Sequence, residues 1–148
     1  MKKQFTEEEK KLKLETNIKS AMTGYFLSGV LGIIYIVRFI ITKNFDFYFS
    51  LAFNEFFLRR AHNEGSYVFA YVLIAAYMAV YFIVALIAGK NSKRLSVALG
   101  MYVFDCVFLI PLFIMQGEIR PEMFIDVIVH AFVIIFLVVG VKSAKEKV

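Results

Sequence analysis

The chain has 148 residues, 60% of them apolar, with a formal net charge of +5 and a mean hydropathy of +0.70. Soluble domains sit nearer roughly 45–50% apolar and disordered chains lower still, so a soluble enzyme, a disordered chain and a nucleic-acid binder are all poor readings. The single cysteine, Cys106, excludes an intrachain disulfide or a CxxC pair, and two histidines leave little for a transition-metal site.

Residues 1–20 are strongly charged. Thr6-Glu7-Glu8-Glu9 has capping-box spacing, in which the Thr6 hydroxyl accepts from the Glu9 amide and Glu9 reaches back. Glu7–Lys11, Glu9–Lys13 and Glu15–Lys19 stand four apart in the favourable order. A polar helix is expected from about Glu7, either lying on the cytoplasmic surface or running straight into the first span. So long a charged lead before the first apolar stretch does not fit a cleavable signal peptide, and that stretch is expected to be an uncleaved anchor.

Residues 21–42 form the first stretch long enough to cross a hydrocarbon core, which takes about 20 helical residues. Gly24, Ser28 and Gly32 make a small-residue stripe along it, suited to close helix approach within the protomer or between copies. Ala75 and Ala79 repeat the pattern weakly in the second span. The outer loop, 43–65, is aromatic. Phe45, Phe49, Phe53, Phe56 and Phe57 recur at helical spacing beside a polar stripe of Asp46, Ser50 and Asn54. Phe45, Phe47, Phe49, Leu51 and Phe53 also alternate as in a strand. A helix satisfies its own backbone beside lipid, so the expectation is an interfacial helix over about 45–59, floating its aromatics in the interface. As function, it would be a lid over an outer cavity or a site for an external partner.

The second span covers 66–89, followed by a charged link at 90–94. The third covers 95–116, then an outer turn at 117–122, the fourth span at 123–141 and a tail at 142–148. Apolar residues fill both faces of these stretches, which excludes transmembrane β-strands, and backbone groups in lipid must pair within the segment. The expected fold is all-α: a single-domain integral membrane four-helix bundle with an N-terminal cytoplasmic helix and an interfacial aromatic helix in the first outer loop.

Lys and Arg set the orientation. Lys2, Lys3, Lys10, Lys11, Lys13, Lys19, Lys90, Lys93, Arg94, Lys142, Lys145 and Lys147 fall on one side; Lys43, Arg59, Arg60 and Arg120 fall on the other. Both termini are therefore expected in the cytoplasm. The short loops and the abundance of Lys, Ile and Phe suggest a bacterial plasma membrane. The positive charge follows from this bias and is not a nucleic-acid footprint.

Ionisable residues within the spans are the candidate site, because each costs several kcal/mol unless paired or hydrated. Arg38 and Asp126 lie at similar shallow depth near the outer side, where an ion pair would fix helix packing. Asp105 sits near the centre of span three, too short to snorkel. His130 lies within about one helical turn of that depth on span four, and shares a face with Asp126, four residues before it. The expectation is a cluster of Asp105, His130, Asp126 and Arg38 in the outer half of the bundle. Its Asp105–His130 pair either titrates in the physiological range or serves as neutral polar glue between helices. Pro111 should kink span three and release the Val107 carbonyl one turn beyond Asp105, either to help build an ion site or as a plain kink.

Small proton-coupled drug exporters have four spans but an acid in the first, where this chain has Arg38. Quinone-linked disulfide-forming enzymes need paired cysteines. No phosphate loop, HExxH or GxSxG motif occurs. No metal and no cofactor is expected. The leading reading is a non-catalytic bundle acting through another membrane protein or itself, with lipid as its only assured partner. The alternative is a proton- or cation-coupled transporter or channel subunit using the buried Asp–His pair. An intramembrane enzyme with His130 as acid and base ranks last for want of a nucleophile.

Overall fold

The computed structural model describes residues 6–45, 49–117 and 121–147. Among these residues every regular element is helical: α1 (Glu7–Thr42), α2 (Ala52–Glu64), α3 (Val68–Lys90), a short 3-10 turn (Ser92–Arg94), α4 (Leu95–Val107), α5 (Leu109–Gln116) and α6 (Pro121–Glu146). Four stretches are long and apolar enough to cross a membrane: α1, α3, the combined Ser92–Gln116 stretch and Met123–Glu146. Burial departs from that of a soluble protein at both ends of the scale. Asp105, Asn54, Glu55 and His130 are buried, while Ile41, Leu86 and Ile114 are each at least 65% exposed. An apolar surface of that extent needs lipid or protein as its solvent.

The N-terminal polar helix and the first span are one continuous helix, the second of the two expected arrangements. Thr6 and Glu9 complete the capping box, with Glu9 Oε2 accepting from Thr6 N at 2.8 Å and Thr6 Oγ1 from Glu9 N at 3.2 Å. Other charges pair differently from their helical spacing. Glu7 takes Lys10 at 3.2 Å, and Glu15 takes Lys147 from the opposite end of the chain at 3.0 Å. Asn17 Nδ2 donates to Ser143 Oγ at 3.0 Å. Both described ends of the chain therefore lie at one end of the molecule, with α1 antiparallel to α6.

α1 packs along α6 and against α3, and α4 packs against α3 and α6, so the long helices close a ring. Glycine makes two of these approaches close. A Cβ on Gly140 would press into Ala21 Cβ, with Leu95 Cδ2 at 2.8 Å; one on Gly29 would meet Tyr81 Cε1 at 2.8 Å. Tyr25 and Tyr81 stack with ring centroids 4.2 Å apart. Each hydroxyl donates to the other's carbonyl, Tyr81 to Tyr25 at 3.0 Å and Tyr25 to Tyr81 at 3.4 Å, clasping α1 to α3.

The small-residue stripe on α1 is turned inward. Ser28, Gly29 and Gly32 are buried, and a Cβ on Gly32 would meet Leu51 and Asn54. Gly24 would meet nothing within 4 Å. The stripe makes room for other parts of the same chain, and its buried members are Ser28, Gly29 and Gly32 rather than Gly24.

Span three is broken where Pro111 requires it. The α-helical ladder lapses at Phe108, whose N–H donates to Asp105 O at 3.0 Å in a tighter turn, and Leu112 N resumes on Phe108 O at 3.1 Å. Proline has no N–H for the Val107 carbonyl, so the break sits one turn upstream of the ring.

Candidate functional site

The aromatic loop differs most from expectation. Its helix starts at Ala52, not near Phe45, and ends at Glu64, not Arg59; part of the expected helix, residues 46–48, lies outside the described residues. Its first turn is not spread over an outer surface. Leu51, Ala52, Phe53, Asn54 and Glu55 are all buried, and α2 packs against α3, α4 and α5. The contacts of that turn fall near the midpoints of the apolar stretches: Gly32 in residues 21–42 of α1, Tyr77 and Met78 on α3, and Asp105 in the Ser92–Gln116 stretch.

The chain thus descends from Thr42 to mid-height and climbs back along α2. The descent is feasible, since nine residues reach up to about 30 Å when extended and half a span is about 15 Å. Leu51, the residue before α2, is extended (φ −67°, ψ 127°), and the helical pattern belongs to α2 from Ala52 on. Thirteen helical residues then rise about 20 Å to Gly65, whose positive φ of 71° ends the helix in a left-handed cap.

A helix that begins in a buried place leaves its first N–H groups without partners. Leu51 has no side-chain acceptor to offer as N-cap. Asp105 supplies it from another helix. Its Oδ2 accepts from Ala52 N at 3.0 Å and its Oδ1 from Phe53 N at 3.1 Å, while Tyr77 Oη donates to Oδ1 at 2.9 Å. A carboxylate at a helix N-terminus satisfies two donors and meets the positive end of the helix dipole. Asp105 is fully buried, so these charge-assisted bonds stand in for water.

His130 closes the site from α6. Its Nε2 lies 3.4 Å from Asp105 Oδ2, and its Nδ1 donates to the Asp126 carbonyl at 2.8 Å. A carbonyl only accepts, so Nδ1 holds a proton in either charge state, and Nε2 carries one toward Asp105 only as an imidazolium. Phe49 and Tyr102 flank the ring, with centroids at 5.2 and 5.6 Å. The Asp105–His130 proximity expected from depth is therefore present, together with an unexpected third party, the N-terminus of α2.

The other expected members are placed less tightly. Asp126 is buried on the same face of α6 as His130, and its Oδ1 has no hydrogen-bond partner among the described residues. Arg38 is half-buried one turn beyond Tyr35, and among the described residues no ion pair joins it to Asp126. The buried cation–carboxylate pair is instead internal to α2. Arg59 Nε lies 2.7 Å from Glu55 Oε1, Ser50 Oγ donates to Glu55 Oε2 at 2.7 Å, and the Arg59 guanidinium lies over the Phe45 ring at 4.4 Å. The Val107 carbonyl released by Pro111 has no part in the cap, because a carboxylate cannot bond a second acceptor.

Sequence reasoning missed Tyr77, Glu55, Arg59 and the two backbone amides. Glu55 and Arg59 had a signal in their spacing of four. Ser50 and Asn54 were visible as part of a polar stripe, but both are buried, and Asn54 Nδ2 donates to Met78 Sδ at 3.2 Å. Comparison with known protein families, with characterised proteins and with solved structures finds no match. The site is therefore read from its own geometry.

Proposed function

We propose that the chain is a small multi-pass protein of a bacterial plasma membrane with both termini cytoplasmic. In this reading it is a four-helix bundle that holds α2 as a re-entrant helix and acts without chemistry of its own, by contact with another membrane protein or a second copy of itself. The observation that carries it is the use made of Asp105. The carboxylate most costly to bury accepts from two α2 amides and Tyr77, the bonding of a structural cap. The polar C-terminal turn of α2, with Arg60, Asn63 and Glu64 exposed, is then presented at the extracytoplasmic side. The Lys/Arg bias and the meeting of both chain ends support the orientation.

The test is mild-detergent purification with quantitative mass spectrometry and mass measurement of the intact particle. A stoichiometric membrane-protein partner or a defined homo-oligomer is expected, and both should be lost when Arg60 and Glu64 are replaced by Ala. A monomer without partners, at native expression and in several mild detergents, would refute the reading.

One observation favours a second reading, a proton- or cation-coupled subunit. Asp126 Oδ1 and His130 Nε2 are buried with no hydrogen-bond partner among the described residues, and such atoms commonly mark water or ion positions. Proton flux in liposomes that disappears in Asp126→Asn, a change outside the α2 cap, would select this reading over the first.

A further inference from the structure

A second feature lies away from the Asp105 site, at the end where both described ends of the chain meet. Below its apolar stretch α1 continues as the polar segment 7–20, and α6 continues through Lys142 to Glu146. These extensions are joined by Asn17–Ser143 and Glu15–Lys147 and enclose an open cleft of about 810 Å³. Five lysines line it, Lys10, Lys11, Lys13, Lys142 and Lys147, against two carboxylates, Glu7 and Glu146, so its field is positive. The Lys10–Glu7 and Lys147–Glu15 pairs are solvent-exposed and weak enough to exchange for a stronger anion.

The cleft is also amphipathic. Leu14 and Val139 form part of its wall, and from Val139 the surface continues along α6 over exposed Phe136, Ile135, Phe132 and Ile128. An occupant with a negative head and an apolar tail would satisfy both parts at once. The volume falls in the range of small-ligand sites.

We propose that this cleft binds the phosphate headgroup of an anionic phospholipid of the same leaflet, with the acyl chains laid along the exposed face of α6. The inference rests on the membrane reading, in which Lys142 and the segment 7–20 lie at the headgroup level. Lys11 and Lys142, exposed on opposite walls, would grip the phosphate from both sides. Basic recesses at the cytoplasmic ends of spanning helices recognise lipid headgroups in this way, while a general attraction to an anionic surface would not depend on which lysines remain.

The test titrates phosphatidylglycerol, phosphatidylcholine and inorganic phosphate onto the full-length protein, first shown by carbonate extraction to be integral to liposomes. Failure of extraction would overturn the membrane reading itself and is distinguishable from failure of the site. Native mass spectrometry should show one saturable phosphatidylglycerol per protomer, preferred over phosphatidylcholine. Lys11→Gln with Lys142→Gln should weaken that binding by about 30-fold, at roughly five-fold for each lysine near an anionic surface. Lys90→Gln with Arg94→Gln removes the same charge from the same end and should change it less than about two-fold. Equal losses in the two double variants, or equal binding of the two lipids, would overturn the proposal. Inorganic phosphate binding as tightly as the lipid would also overturn it, since the acyl chains would then contribute nothing.

Discussion

Replacing Asp105 by Asn is nearly isosteric, yet it should open the centre of the molecule. The amide can keep its oxygen at the Oδ1 position, where it still accepts from Phe53 N and Tyr77 Oη. Its NH2 then stands at the Oδ2 position, 3.0 Å from Ala52 N, donor against donor. Leaving that buried N–H unsatisfied costs about 1–3 kcal/mol, and the remaining bonds lose their charge assistance. The sum is about 3–5 kcal/mol, the range found when one partner of a buried charged pair is removed. In nanodiscs this should lower the unfolding midpoint by roughly 10 °C, by the usual conversion for a chain of this size. Hydrogen exchange localises the effect: the Ala52, Phe53 and Asn54 amides should lose protection while those in the middle of α1 and α3 keep theirs. Unchanged protection in α2, with a midpoint within about a degree of wild type, would refute the assignment of Asp105 as the cap.

Two further predictions concern packing and the second buried charge. Gly140→Ala should destabilise by about 1–3 kcal/mol, because its methyl group pushes α1 from α6 at Ala21, whereas Gly24→Ala should be neutral or slightly stabilising; thermal unfolding of the two variants side by side checks this. Arg59→Gln should cost more than Glu55→Gln, since it strands a carboxylate side chain 4% exposed rather than a guanidinium 21% exposed that can reach outward. The double variant should cost less than the sum of the two, and an additive result in the thermal cycle would show that the pair is not coupled.

The spans were legible because length and apolar content alone decide them, and four described helical stretches are long and apolar enough to cross a membrane. Asp105 and His130 were legible as neighbours because depth along two antiparallel helices is simple arithmetic. Depth carries no information about azimuth, which is why it could not show that Glu55 takes Arg59. The re-entrant path was hidden for a related reason. A helical period places Asn54 and Glu55 on one side of the aromatics but does not say which side meets lipid. The missing piece was an orphan helix N-terminus, and backbone amides have no sequence signature. Only a loop with more residues than an outer crossing needs, opposite a mid-span carboxylate, hints at one.

The account turns on α2 entering the bundle to mid-height, and proximity of Asn54 to Met78 reports this most directly. In a Cys106→Ser background, Asn54→Cys with Met78→Cys places two thiols at the γ positions of side chains whose Nδ2 and Sδ lie 3.2 Å apart. The account predicts efficient cross-linking by a short bifunctional thiol reagent in intact membranes, with position 54 shielded from a membrane-impermeant maleimide. Absence of the cross-link, with rapid labelling of position 54 from the outer side, would place α2 on the surface and contradict the account.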